Sequence, residues 1–395
     1  MRKELSFVSL FCGCGGLDVG FEQAGFHGIF SADIDPLSVT VHNRNLKTPG
    51  HVIDLNTTDR RLPGAVNPDV VVAGPPCQGF STLGKRRIND PRNSLIVAAA
   101  RHAVTLRPKV VLIENVSGVL SGTLREYWEN ALSVLREAGF QTQTRHVICS
   151  RFGVPQIRKR LLLVAWRGRQ ETFPAFATVP PATLSTALDH LGGQENHEPV
   201  ELKQNSADHQ IAQRISQHQK LCNVRAGDRA VPTWTIPEVF GRTNAQEREI
   251  LCAIRQLRRR IRVRANGDSD PLSLRDISHY CNSNVSAAVE RLLRKGYLRK
   301  IGNRIDLVHT FNGKFRRLSW EHPAPAVDTR FGDPRYYLHP EEHRGLSVRE
   351  AARIQGFPDD FVFAGPKAAQ FRMVGNAVPP PLARQLAVSI REFLR

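Results

Sequence analysis

Val70-Val71-Val72-Ala73-Gly74-Pro75-Pro76-Cys77-Gln78-Gly79-Phe80-Ser81 runs from a four-residue apolar segment straight into a restrained loop that carries a thiol. Consecutive apolar, mostly β-branched residues closed by glycine read as a strand buried on both faces, as in a parallel sheet covered by helices. The two prolines fix φ and remove two backbone donors, so few paths lead away from the strand end. A thiol delivered by such a loop is held in place, which a nucleophile requires. Taken alone, Cys77 is better read as a small apolar residue filling a strand end. Its neighbours along the chain reverse that reading.

Working outward, short β-rich runs alternate with helical stretches from Phe7 to about Trp166: Phe7–Phe11, Gly28–Ala32, Val70–Ala73, Val110–Glu114, Gln143–Ile148 and Arg160–Ala165. The alternation predicts an α/β fold with a doubly wound, mostly parallel sheet. Ligands in such sheets bind at the carboxyl ends of the strands, and the runs ending at Phe11, Ala32, Ala73 and Ile113 are each followed at once by polar, Gly or Cys residues.

Three of these strand ends carry chemistry. Phe11-Cys12-Gly13-Cys14-Gly15-Gly16-Leu17-Asp18 is a Gly-rich turn between a strand and a helix, and Asp33 closes the next strand. That spacing suits a nucleoside, with backbone close to the ligand and a carboxylate for ribose hydroxyls; a plain tight turn is the competing reading. Glu114, in Glu114-Asn115-Val116, ends a buried strand and should lie beside the Cys77 loop. It can share a proton with a substrate ring nitrogen, or merely pair with an arginine. Gln156-Ile157-Arg158-Lys159-Arg160 sends Gln156, Arg158 and Arg160 to one face of an extended segment. The two guanidiniums, of Arg158 and Arg160, suit a phosphate or base carbonyl, or Glu114 itself.

The chain carries a net charge of +18, which points to a polyanionic partner, nucleic acid first. Its seven cysteines are scattered, which fits a reducing compartment, and Cys12 with Cys14 has no second ligand pair at zinc spacing. No signal peptide or membrane-spanning run is read, so a cytoplasmic protein is expected.

Past about residue 180 the chain becomes Pro-, His- and Gln-rich and the alternation stops. Within the following stretch, Thr243 with Gln246 predicts a capped helix bearing Ile250, Leu251, Ile254, Leu257 and Ile261 on one side. Ser273 with Asp276 predicts a second helix. Ser283 or Asn284 caps a third, with Val285, Val289, Leu292 and Leu293 inward and Gly296 at its end, before a hairpin turning at Gly302-Asn303. Three helices and a hairpin over 243–308 form a winged-helix pattern. From Arg242 to Val308 the chain has 15 Lys/Arg against 7 Asp/Glu, a local excess of about +8. A solvated basic insertion is the alternative.

The ordered motifs from Phe11 to Arg160, and again from Arg344 to about Leu386, resemble the DNA (cytosine-5) methyltransferase family of prokaryotic restriction-modification type. The resemblance implies a Rossmann-like methyltransferase fold binding S-adenosyl-L-methionine, with S-adenosyl-L-homocysteine as product and no metal. It implies cofactor contacts from Phe11, Gly13, Gly15, Gly16, Leu17, Asp33, Ile34, Asp54, Leu55, Pro76, Leu95, Asn376 and Val378. Pro76-Cys77 matches the nucleophile motif and Glu114-Asn115-Val116 the base-recognising motif. Arg349-Glu350-Ala351-Ala352-Arg353-Ile354-Gln355-Gly356-Phe357-Pro358 and Gly375-Asn376-Ala377-Val378-Pro379 match the last two.

Within that implied chemistry Cys77 adds to C6 of a flipped-out cytosine and Glu114 assists at N3. Arg158 is expected to orient Glu114, with Arg160 more structural. Residues 1–180 and 344–395 then form the catalytic domain, and 181–343 a target-recognition domain. Duplex DNA is the expected partner of a monomer, alongside a cognate restriction endonuclease or other defence protein, with no membrane involved. A tRNA cytosine methyltransferase and a silent DNA-binding scaffold stand as alternatives.

Overall fold

A computed structural model describes residues 4–56, 62, 67–76, 91–224, 227–263 and 270–395. Cys77 and its loop through residue 90 lie outside the described residues. The chain forms two compact units: Met1–Glu198 with Trp320–Thr329 and Ser347–Arg395, and Pro199–Ser319 with Arg330–Leu346. The first crossing thus falls at Glu198 instead of near residue 180. Trp320–Thr329 returns to the first unit, where Ala324 and Pro325 pair in parallel with Gln156 and Ile157.

The first unit is built on β1 (Ser6–Leu10), β2 (His27–Asp33), β3 (Gly50–Val52), β4 (Val70–Ala73), β5 (Val110–Asn115), β6 (Gln141–Ile148) and β8 (Lys159–Trp166), with the two-residue β7 (Gln156–Ile157) outside the main sheet. Spatial order is β3-β2-β1-β4-β5-β8-β6. The first five strands run parallel, and β8 lies antiparallel between β5 and β6. Between them run α1 (Gly16–Gln23), α2 (Pro36–Asn45), α3 (Leu95–Leu106) and α4 (Arg125–Glu137).

Alternation along the strands creates two apolar layers. Val71, Ala73, Val111, Ile113, Leu161 and Leu163 pack against α3 and α4. Val70, Val72, Val110, Leu112, Leu162 and Val164 pack on the other face with Leu17 and Phe21 of α1 and the final helix Pro380–Phe393. Both faces are covered, which is why β4 and β5 are apolar without interruption. Strand order reverses direction at β1 and β4, so the loops leaving these neighbours open the crevice that such sheets use for ligands.

In the second unit, helices Ala245–Arg260, Leu274–Tyr280 and Ser286–Lys295 share one core with the hairpin Leu298–Ile301 and Arg304–Leu307. Leu272 bridges Ile305 and extends the hairpin into a small third strand. Three helices with such a wing are the winged-helix arrangement. Details differ from the sequence reading. The first helix is capped by Asn244 with Glu247, one residue beyond Thr243 and Gln246. Thr243 instead donates its hydroxyl to the Trp234 carbonyl, and Ile261 ends the helix in an exposed position. Ser273 and Asp276 form the predicted capping box, and the Asn284 side chain accepts from Ser286 N. Gly296 stops the third helix at φ +88°, and Gly302 turns the hairpin at φ +57°, backbone that glycine adopts without a Cβ clash. Among the described residues no helix is long and apolar enough to cross a membrane.

Candidate active site

The loop after β1 owes its shape to buried polar and packing contacts on its protein side. Phe11 leaves the strand at φ +54°, a conformation rare for a bulky residue and met mostly at functional turns. Cys12 N donates to Ala32 O and Gly15 N to Cys12 O. Of the three candidate glycines, only Gly13 faces open space. A Cβ on Gly15 would fall 2.3 Å from Leu46 Cδ1 and 2.9 Å from His42 Cδ2, and one on Gly16 2.3 Å from the Val378 carbonyl. Gly15 and Gly16 therefore serve close packing of α2 and of the segment after helix Lys367–Asn376, leaving Gly13 to approach a ligand.

Asp33 ends β2 and is anchored from both sides: Oδ2 accepts from Gly13 N at 2.9 Å and Oδ1 from Asp35 N at 2.9 Å. Burial pushes its carboxyl above the usual range, with these backbone donors partly offsetting the effect. Beside it, Ile34 is 62% exposed. An apolar side chain left open next to a fixed carboxylate and an open glycine suits a nucleoside, base against Ile34 and ribose at Asp33. The residues present fit S-adenosyl-L-methionine in this way. Leu17 and Leu55 are buried in the core and Leu95 is half-buried at the start of α3. Asp54 is exposed and accepts from Asn56 N. Asn376 is exposed, while Val378 is buried against α1.

A network that sequence reading missed underlies this loop. Asp18, fully buried in the first turn of α1, accepts from Ser9 Oγ at 2.8 Å, Ser31 Oγ at 2.5 Å and His42 Nε2 at 3.0 Å. One carboxylate thus joins β1, β2, α1 and α2 directly under Gly15. On the other side of the His42 ring, Nδ1 faces Asn43 Oδ1 at 3.3 Å, an oxygen that also accepts from Gly50 N. Both ring nitrogens meet acceptors, the arrangement of a protonated imidazole. Burial alone would depress this imidazole, but the bond and charge of Asp18 outweigh it and hold His42 above its ordinary value.

At the ends of β4 and β5 the second part of the site assembles. Gly74 N donates to Leu10 O, and Asn115 Nδ2 donates to Pro75 O at 3.2 Å. Asn115 therefore ties the end of β5 to the proline segment that leads to Cys77. Pro75 is buried and Pro76 half-buried. Ala73 pairs with Ile113 in the register of β4 and β5, which brings Glu114 next to the start of that loop, and the nearest arginine meets it there: Arg160 Nε lies 2.5 Å from Glu114 Oε1, with both side chains about nine-tenths buried.

The two arginines meet different partners. Arg158 Nη1 donates to Val327 O, and its Nη2 to Gly375 O and Ala377 O, so it braces two chain segments. Arg160, expected to be the more structural, is the group that holds Glu114. The alternation placed Gln156, Arg158 and Arg160 on one buried face, and exposed Ile157 on the other. What it could not give was their order in depth. Gln156 is bound to Ile354 O, Gln355 Oε1 and Val327 N. Arg349 is likewise structural, fully buried and donating to the carbonyls of Glu195, Pro358 and Phe361.

The buried cysteines near these loops remain thiols. Burial raises Cys12 and Cys14 well above the normal range, and pushes Cys149 up to about 11 although Arg160 and Arg158 pull it back. None supplies a thiolate at neutral pH. Among the described residues, no cluster of three His, Cys, Asp or Glu side chains is placed to hold a metal.

Comparison with known proteins places this geometry. The family described as C-5 cytosine-specific DNA methylase matches residues 5–392. Type II methyltransferase M.AgeI of Thalassovita gelatinovora is 28% identical, over 97% of this chain and 98% of its own. Type II methyltransferase M1.HphI of Haemophilus parahaemolyticus is 29% identical, over 98% and 87%. Among solved structures, a candidate DNA modification methyltransferase encoded within an E. coli prophage superposes with a TM-score of 0.57, covering 99% of both chains at 21% identity, a likeness of fold. With a match spanning nearly its whole length, the chain belongs to the C-5 cytosine-specific DNA methylases.

Proposed function

We propose that the Glu114–Arg160 pair receives the Watson–Crick edge of a cytosine flipped out of duplex DNA, and that Cys77 attacks C6 of that base. The observation that carries this reading is the 2.5 Å pair at the end of β5, tied through the adjacent Asn115 to Pro75. Cytosine C5 is a weak nucleophile. Addition of the Cys77 thiolate to C6 breaks the C5–C6 π bond and moves its electrons toward C5, while a proton shared between Glu114 and N3 disperses the charge on the ring. Arg160 fixes the carboxylate for that contact. S-adenosyl-L-methionine, when bound, supplies an electrophilic methyl group and leaves as S-adenosyl-L-homocysteine. Loss of the C5 proton then restores the double bond and expels Cys77. Because C6 is closed off within a stacked duplex, the base must swing out.

Asp33, Ile34 and the Gly13 backbone would hold the cofactor, and a restriction-modification role follows from the kinship with Type II enzymes. The test uses duplex DNA carrying 5-fluorocytosine at the methylated position, which has no proton to lose. A denaturation-resistant adduct mapping to Cys77 is expected, absent in Cys77→Ser. Enzyme that methylates normal DNA yet never forms the adduct refutes the covalent route.

A further inference from the structure

The winged helix of the second unit has no part in the chemistry described so far, and its surface is unevenly charged. Several basic residues are used internally. Arg258 lies 2.8 Å from Asp306 within the core, Arg299 pairs with the same carboxylate, and Lys295 and Arg291 pair with buried Glu247. These pairs tie the helices and hairpin of the module together.

Others are not absorbed. Helix Ser286–Lys295 buries Ala288, Val289 and Leu292 and exposes Ser286, Ala287, Glu290 and Arg294. These four lie on one face, with small residues in the first turn and larger ones behind. Arg294 has no acidic partner among the described residues, and neither has Arg275 at the start of the preceding helix. The hairpin adds an exposed strip, Lys300-Ile301-Gly302-Asn303-Arg304, in which Arg304 Nη1 donates to Pro271 O at 3.1 Å on the exposed surface and no carboxylate pairs with it among the described residues. Its Lys300 Nζ lies 2.9 Å from Glu290 Oε1, an exposed pair joining wing to helix. Such a pair contributes little to stability and exchanges readily for other partners.

A helix with small residues leading and cations behind, beside a basic hairpin, matches a duplex: the major groove admits an α-helix, and flanking cations meet phosphates. We infer that this module reads duplex DNA, with Ser286, Ala287 and Glu290 facing base edges in the major groove and Arg294 and Arg304 on the phosphate backbone. The inference extends the proposed methyl transfer by assigning part of its sequence choice to a winged helix. Glu290 is the residue suited to accept from a cytosine 4-amino group.

Two variants of the full chain test it, each altering exposed side chains so that melting temperature and S-adenosyl-L-homocysteine binding should match wild type. Arg294→Gln/Arg304→Gln is measured for binding to a mixed-sequence duplex across a salt series. Its log affinity against log salt should be shallower by about 2, roughly 0.9 for each lost phosphate contact. Glu290→Ala is expressed in a host free of cytosine methylation, and bisulfite sequencing should show methylation spreading to sites that differ from the wild-type set at one flanking position. A wild-type salt slope overturns the surface as a DNA contact, as does loss of affinity for structured RNA alone. An altered slope with unchanged flanking bases overturns the base-reading half. Wild-type protein that binds duplex but leaves no 5-methylcytosine counts against the proposed catalysis while the salt arm still judges the module.

Discussion

Arg158 and Arg160 stand two residues apart on one face, yet one binds three backbone carbonyls and the other a carboxylate. Their replacement should therefore separate stability from chemistry. Arg160→Ala is expected to lower kcat by about 10²-fold or more, the usual scale for losing a group that fixes transition-state charge, and to lower the melting temperature less than Arg158→Ala, since it strands one carboxylate oxygen instead of three carbonyls. Arg158→Ala should chiefly lower the melting temperature, since it strands buried acceptors. Equal thermal losses in both would contradict this division. The buried Asp18–His42 pair makes a second prediction. The unfolded imidazole is protonated only below its ordinary 6.5, while the folded one keeps its proton to higher pH. Its contribution to stability is thus complete on the acid side of 6.5 and declines as pH rises through the folded value. The urea midpoint of wild type should fall over that range, and His42→Gln should flatten the fall. Residue types in the chain announced Asp33 and Glu114, because both end apolar runs. Nothing local announced His42, whose partner is 24 positions away in sequence.

Elements were legible where burial imposes a pattern. β4 was delimited to the residue because all four of its side chains are buried, and β5 and β8 to within one or two. β3, three residues at the sheet edge with His51 and Val52 exposed, offers no such pattern and was missed. The displaced cap of helix Ala245–Arg260 has a similar cause: Thr243 with Gln246 and Asn244 with Glu247 satisfy the same rule one step apart. The structure selects the latter because Glu247 is buried and also holds Lys295. Asn244→Ala should destabilise the second unit by about 1 kcal/mol and Thr243→Ala by less, as read from urea unfolding. The reverse order would restore the sequence reading.

Across the whole molecule, each unit closes apolar clusters of its own: the sheet core in the first, the winged-helix core and a smaller cluster around Phe315 and Leu338 in the second. Separate cores predict separable unfolding. Calorimetry should resolve two transitions, and S-adenosyl-L-homocysteine at about 100 times its Kd should stabilise only the first unit, by about 2.7 kcal/mol. A single transition shifted as a whole would show that the units melt together. The family was readable from sequence because its motifs are short and sit at strand ends, where chemistry restricts residue choice. The unit boundaries were less readable, since Trp320–Thr329 rejoins the first unit through a two-residue strand pair and buried backbone contacts that leave no compositional mark.

The last helix, Pro380–Phe393, packs so closely on α1 that a Cβ at Gly20 would lie 2.4 Å from that of Ala383, and Arg391 reaches back to the carbonyl of Ala24. On the ribosome Ala24 and Arg391 are made 367 residues apart. The Gly-rich loop emerges early and waits, with one apolar side of α1 uncovered, until the whole second unit has been translated. A chain interrupted anywhere before Pro380–Phe393 therefore leaves that side of α1 uncovered and is expected not to methylate DNA.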